Sequence, residues 1–199
     1  MAKSVKTKFN FVCQSCGFAS PRWIGKGPDC SNWNSFVEEE VVARSLGRKT
    51  TETCEPVLLD SIRSADKERM GIGIAELDRV LGGGVVVGSV VLIGGDPGIG
   101  KSTIALEICQ KLSAKGKKVL YVSGEESVQQ TKLRADRLSS RHSDNLYIVN
   151  ETDVDAIVPF IRKFLPDLVV IDSIQVIYTS ALSSSAGSVS QVRECASIL

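Results

Sequence analysis

The chain of 199 residues carries 24 Lys and Arg against 23 Asp and Glu, for a net charge of +1, and is 43% hydrophobic and 24% charged. That balance excludes an intrinsically disordered chain, a collagen-like repeat and a polybasic nucleic-acid tail. The longest apolar stretch, Val85 to Ile93, is interrupted by Gly88 and Ser89 and is too short to span a bilayer. The opening MAKSVKTKFN has no apolar core and little Arg, so neither a signal nor a transit peptide is expected and the cytosol is the default compartment.

Residues 1–37 read as a small cysteine module. Three of the six cysteines, Cys13, Cys16 and Cys30, fall in the first 30 residues, and the others are Cys54, Cys109 and Cys195. In a cytosolic chain such clustering points to metal chemistry rather than disulfides. Residues 10–37 are rich in Cys, Gly, Trp and Phe and sustain no long helical or strand period. Cys13-Gln14-Ser15-Cys16-Gly17 is one zinc knuckle, two thiolates on a tight turn. A closed structural zinc site needs a second pair. Cys30 stands where that pair would end, but the position three before it is Gly27. Asp29, Cys54, a water or a second chain are the alternatives for a fourth ligand, and a metal-free knuckle is another reading. The same region holds the steepest charge bias in the chain, Lys3, Lys6, Lys8, Arg22 and Lys26 against Asp29.

Residues 38–69 read as a linker: the EEE run, then polar sequence with at most a short strand around Val57 to Leu59. From residue 70 to 199 the pattern alternates. A short helix at about Ile74 to Leu81 runs into a Gly triplet. Then come expected strands at 89–95, 117–124, 145–150 and 167–174, with helices at about 101–114, 127–138 and 153–164 between them and a further helix beginning in the tail. Val- and Ile-rich runs without alternation suit parallel strands covered on both faces. The expected fold class is therefore α/β, a mainly parallel sheet with right-handed crossovers, preceded by a small zinc-ribbon-like finger.

The loop between the first such strand and its helix reads Gly95-Asp96-Pro97-Gly98-Ile99-Gly100-Lys101-Ser102, with Thr103 next. It fits the pattern G-x-x-x-x-G-K-S/T. The glycines let successive backbone N–H groups turn toward an anion at a helix N-terminus. Lys101 would reach the β- and γ-phosphates and the Ser102 hydroxyl would bind Mg²⁺. The run Leu168-Val169-Val170-Ile171-Asp172 ends in an acid at the carboxyl edge of a strand, where Asp172 would hold Mg²⁺, though any apolar strand ending in Asp looks alike. Glu125 and Glu126 follow the second strand, and one of them would align the attacking water, Glu125 being nearer the strand end. Both would also favour a helix start through its dipole. His142 lies in a polar loop and is assigned no role.

The stretches FVCQSCGFASPRWIGKGPDCSNWNSFVEE, RMGIGIAELDRVLGGGVVVGS, IGGDPGIGKST, LYVSGEES, VVIDSIQ and AGSVSQVREC together resemble the RadA (Sms) DNA-repair ATPases of bacteria and plant organelles. The resemblance covers almost the whole chain, the linker alone being loose. It implies a four-cysteine zinc finger, a RecA-type ATPase core and a C-terminal Lon-protease-like domain. It implies a bacterial, cytoplasmic, DNA-dependent ATPase that processes branched recombination intermediates on single-stranded DNA. A recombinase partner and a hexameric assembly of the full-length protein follow from it, and no membrane. Carried over residue by residue, Cys13, Cys16 and Cys30 are zinc ligands, Gly95 to Ser102 the ATP loop, Glu125 the water-activating acid and Asp172 the Mg²⁺ acid.

Two departures from the family pattern stand out. Gly27 replaces a ligand cysteine, so weak or altered Zn²⁺ binding is expected. The sequence given ends at Leu199, before the family's K-N-R-F-G motif and Lon-like domain, so ATP binding is expected of this chain and turnover of a longer one. The alternative from another class is a non-hydrolysing module in which ATP sets the shape of a partner-binding surface. A metabolic kinase fits poorly with a cysteine knuckle.

Overall fold

The computed structural model describes residues 8–41, 58, 68–139 and 143–199. Cys54, His142 and the expected strand around Val57 to Leu59, Leu58 apart, lie outside the described residues. The chain divides into two compact units, one formed by residues 1–41 with 93–199 and one by residues 42–92.

The first unit opens with a three-stranded antiparallel ribbon in the order β2-β1-β3, made of β1 (Lys8–Cys13), β2 (Ala19–Ser20) and β3 (Phe36–Val41). Six consecutive pairs, from Lys8 opposite Val41 to Cys13 opposite Phe36, zip β1 to β3. The EEE run therefore belongs to a strand that reaches past residue 37, and its middle carboxylate is buried. Glu39 accepts hydrogen bonds from Ser190 Oγ at 2.8 Å and Gln14 Nε2 at 3.4 Å, which offset the cost of taking its charge out of water. Ser190 Oγ also meets Ser184 Oγ at 3.0 Å, so a serine cluster at the start of the last helix seats the ribbon strand.

The rest of this unit is a parallel sheet in the order β7-β6-β8, built from β6 (Val119–Ser123), β7 (Leu146–Asn150) and β8 (Leu168–Asp172). All five residues of the central strand are buried. Its period of two divides them between two helical layers. Leu120 and Val122 join Val154 and Ile157 of α4 (Val154–Phe164), Ile177, and Cys195 of α5 (Val189–Ile198) in one core cluster. Val119 and Tyr121 face the other way, where α2 (Lys101–Ala114) packs on β6 and β8 and buries Ala105, Leu106, Ile108, Cys109 and Leu112. Between β6 and β7 runs α3 (Val128–Leu138), and the short α1 (Ala75–Val80) belongs to the second unit. A capping box starts α3: Ser127 Oγ accepts from the Gln130 N–H, and the Gln130 side chain accepts from the Ser127 N–H. Asp153 caps α4 through the Asp155 N–H.

In the second unit β4 (Arg69–Met70) pairs antiparallel with β5 (Val85–Val86) around α1. The Asp78 carboxylate accepts from the N–H groups of Ile72 and Gly73, both at 2.8 Å. Gly84 explains the Gly triplet: its φ is +134°, and a Cβ there would lie 2.5 Å from the Met70 carbonyl oxygen.

One expected element is corrected. Residues 89–95 form no strand, and Val90 and Leu92 are 89% and 83% exposed. A period-free apolar run signals burial on both faces, which a strand achieves only beside partner strands and under helices. Among the described residues no strand pairs with the run.

Truncating a core side chain should separate the two kinds of apolar residue. Leu120→Ala, at 1% exposure, should cost roughly 3 kcal/mol, while Leu133→Ala on the open face of α3 should change stability by about 0.5 kcal/mol or less. Urea unfolding midpoints at constant m-value check this; equal shifts for both variants would contradict the core assignment.

Candidate nucleotide site and cysteine cluster

The loop before α2 takes its shape from two glycines. Gly98 and Gly100 have φ of +79° and +103°, left-handed values that strain any residue with a Cβ. A Cβ at either would meet nothing within 4 Å, so the requirement is conformational rather than steric. Gly100 is the N-cap of α2 and offers no side chain to its first N–H groups. The helix thus begins with amides facing outward behind a curled loop, the arrangement that favours an anion. Lys101 folds back over the loop, its Nζ donating to the carbonyl oxygens of Gly95 and Asp96, each at 2.8 Å. Asp96, Pro97 and Ile99 are exposed along the loop, Ser102 is half-buried in the first turn of α2, and Thr103 is exposed beside it.

The acids gather at the carboxyl edge of the sheet. Register places Ser123 opposite both Asn150 and Asp172. The Gly124 N–H donates to the Asp172 carbonyl at 2.9 Å, which ties the β6–α3 turn to the end of β8. Through Ser173 this turn also holds Glu125: Ser173 Oγ donates to Glu125 Oε1 at 2.7 Å. Glu126 is engaged elsewhere. Its carboxylate pairs with Arg134 of α3, and its carbonyl accepts from Ser123 Oγ at 2.7 Å and Asn150 Nδ2 at 2.9 Å. Glu126 is thus a structural residue of the turn, whereas Glu125 is exposed at the edge.

Tyr121 is a member of the site that the sequence reading did not name. Its hydroxyl donates to Asp172 Oδ2. Burial, the hydrogen bond to Asp172 and the charge of that carboxylate all push the Tyr121 phenol upward, so it stays protonated and remains a donor. The other carboxylate oxygen of Asp172 has no hydrogen-bond partner among the described residues. A hydroxyl at Ser102 and a carboxylate at Asp172 are the oxygen donors that Mg²⁺ takes, so the donor set fits that ion. Among the described residues, neither Asp172 nor Glu125 bonds to Lys101 or Ser102.

In the ribbon the sulfur atoms of Cys13, Cys16 and Cys30 lie within 4.8 Å of one another. Two turns present them with one hydrogen-bond pattern. In the first, the Gly17 N–H donates to the Cys13 carbonyl and the Cys13 N–H to the Phe18 carbonyl, at 2.8 and 2.9 Å. In the second, the Ser31 N–H donates to the Gly27 carbonyl and the Gly27 N–H to the Asn32 carbonyl, both at 2.8 Å. Gly17 and Ser31 share a left-handed φ, +75° and +60°. Gly27 is therefore the counterpart of Cys13, and Cys30 of Cys16. Asp29 does not join the cluster, and Cys54 lies outside the described residues. Three thiolates do not complete the four-ligand set of a structural zinc.

The thiols differ in acidity. Burial would raise Cys13, but hydrogen bonds from Ser35 Oγ, 3.2 Å away, and from the N–H groups of Cys16 and Ser15 bring it down to about 6. At Cys16 the Phe18 N–H favours the thiolate, yet burial and the sulfurs of Cys13 and Cys30 outweigh it and push the group up.

Comparison with known proteins agrees with both halves of this description. The ATPase family described as KaiC matches residues 70–146, and the family described as a rubredoxin metal-binding domain, a zinc ribbon, matches residues 11–38. The DNA repair protein RadA of Bacillus subtilis is 50% identical over 196 residues, which are 96% of this chain and 43% of that protein. RadA of Listeria monocytogenes is 50% identical over 202 residues, 100% of this chain and 44% of its own length. RadA of Campylobacter jejuni is 46% identical over 193 residues, 95% and 43% of the two chains. The chain thus spans less than half the length of these relatives. With a zinc-ribbon fold and an α/β core carrying a phosphate-loop sequence, the chain is similar to the DNA repair protein RadA along nearly all of its own residues.

Proposed function

We propose that this chain is the nucleotide-binding part of a DNA-dependent ATPase of recombination and repair, one that processes branched intermediates on single-stranded DNA. The observation that carries the reading is the division of labour between two neighbouring acids: Arg134 occupies Glu126, while Ser173 holds Glu125 at the edge beside Asp172. The loop from Gly95 to Thr103 would cradle the phosphates of ATP with its amides, and Lys101 would leave the Gly95 and Asp96 carbonyls for the β- and γ-phosphates. Mg²⁺, held by Ser102 and Asp172, would neutralise charge on the phosphates. Tyr121 keeps the Asp172 carboxylate oriented. Glu125 aligns the attacking water and takes its proton. By likeness to RadA the full-length protein would act as a homo-hexamer beside a recombinase in the bacterial cytoplasm. Among the described residues no helix is long and apolar enough to cross a membrane.

Lys101→Ala should lower the affinity of this chain for a fluorescent ATP analogue at least about a hundredfold, since it removes the loop's cation. Unchanged affinity would refute the phosphate-loop role. Turnover is tested in this chain joined to the remaining sequence of its Bacillus subtilis relative. Single-stranded DNA should stimulate phosphate release there, and a nucleotide-bound but DNA-insensitive, inactive protein would favour the non-hydrolysing alternative. In the same protein Glu125→Gln should slow hydrolysis by about 10²- to 10⁴-fold with ATP affinity within about threefold of the parent. Glu126→Gln should act on stability instead, and the reverse outcome would exchange the two roles.

A further inference from the structure

The place of the missing fourth ligand in the ribbon is not open space. Gly27 is buried, and a Cβ built on it would lie 2.6 Å from Cys30 Sγ and 3.5 Å from Cys13 Sγ. The first distance is shorter than real Cβ contacts allow. The Cys30 sulfur therefore occupies volume that a side chain at position 27 would need, and it stands 3.6 Å from that of Cys13. The oxygens nearby are already committed. The Asn32 carbonyl accepts from the Gly27 N–H at 2.8 Å and from Ser35 Oγ at 3.5 Å, and Ser35 Oγ meets Cys13 Sγ at 3.2 Å. Asp29 stays outside the cluster. The three sulfurs are thus packed as a complete set among the described residues.

Zinc gains its structural stability from four ligands in a tetrahedron. Soft thiolates alone, in a smaller number, suit a soft monovalent ion. We propose that the ribbon is a three-thiolate site for a thiophilic monovalent ion of the copper(I) class, with Cys13, Cys16 and Cys30 as its ligands. Each thiol releases its proton to solvent as its sulfur–metal bond forms, and the copper enters and stays in the monovalent state. Because the cysteines sit on two turns that β1 and β3 hold side by side, binding would fasten the two turns together. The site is independent of the nucleotide reading, since it uses no residue of the phosphate loop or the carboxyl edge.

The test compares the chain with its Gly27→Cys variant under anaerobic conditions. Copper(I) is buffered with bathocuproine disulfonate, and Zn²⁺ with a chromophoric chelator. The parent should bind one copper, and Cys16→Ser should lose it. Gly27→Cys should raise zinc affinity at least about a hundredfold, because it supplies the fourth ligand, and copper affinity by less than tenfold. Equal zinc affinity in parent and variant would overturn the proposal, as would a copper gain as large as the zinc gain. X-ray absorption on the parent decides the matter even if the variant does not fold. Three sulfur neighbours around copper support the site; two sulfurs, or zinc bound by four donors as tightly as copper is held, contradict it.

Discussion

The register of three parallel strands is the constraint on which the site depends. Ser123 at the end of β6 stands level with Asn150 on one side and Asp172 on the other. That alignment delivers a hydroxyl, an amide and a carboxylate to one edge, where the chain next turns into α3 and the Ser173 segment. A slip of one residue would send each of these side chains to the opposite face. It would break Tyr121 from Asp172 and Asn150 from the Glu126 carbonyl together. The core enforces the register. Leu120 and Val122 can face Val154, Ile157 and Cys195 only when the polar ends line up as they do.

The ribbon follows a different economy. Among its described side chains Cys13 and Phe36 are the buried hydrophobic ones, so the ribbon draws on paired turns and on support from outside. One support is the cysteine cluster, where any bound ion adds its binding free energy to folding. The other is Glu39, a buried acid whose oxygen is met by Ser190 at the start of α5. Beside it a Cβ on Gly17 would collide with Val189, 2.8 Å away, so the first knuckle lies flat on the same helix. The first knuckle and this helix are thus in contact within one unit.

The sequence disclosed the elements of the core well because local signals agreed with one another. The capping residues Ser127 and Asp153 mark where α3 and α4 begin, and apolar runs without alternation mark β6 and β8. The same rule misled at 89–95, since composition reports a demand for burial and not the presence of a neighbouring strand. Glutamates at 38–40 read as the start of a linker because nothing local reveals Ser190, some 150 residues away. Tyr121 escaped for a related reason: its partner is set by the pairing of β6 with β8, which no single segment encodes. In the loop before α2, Gly98 and Gly100 were legible because they answer to backbone conformation alone.

In the proposed function one nucleotide contacts both the loop before α2 and the carboxyl edge of the sheet. Hydrogen exchange of the chain with and without Mg·ATP tests this most directly. Protection should appear in three segments, residues 95–104 and the turns at 123–127 and 172–175, while the ribbon amides at 13–18 and 27–32 stay unchanged. Protection confined to other segments, or none in the loop at saturating nucleotide, would contradict it.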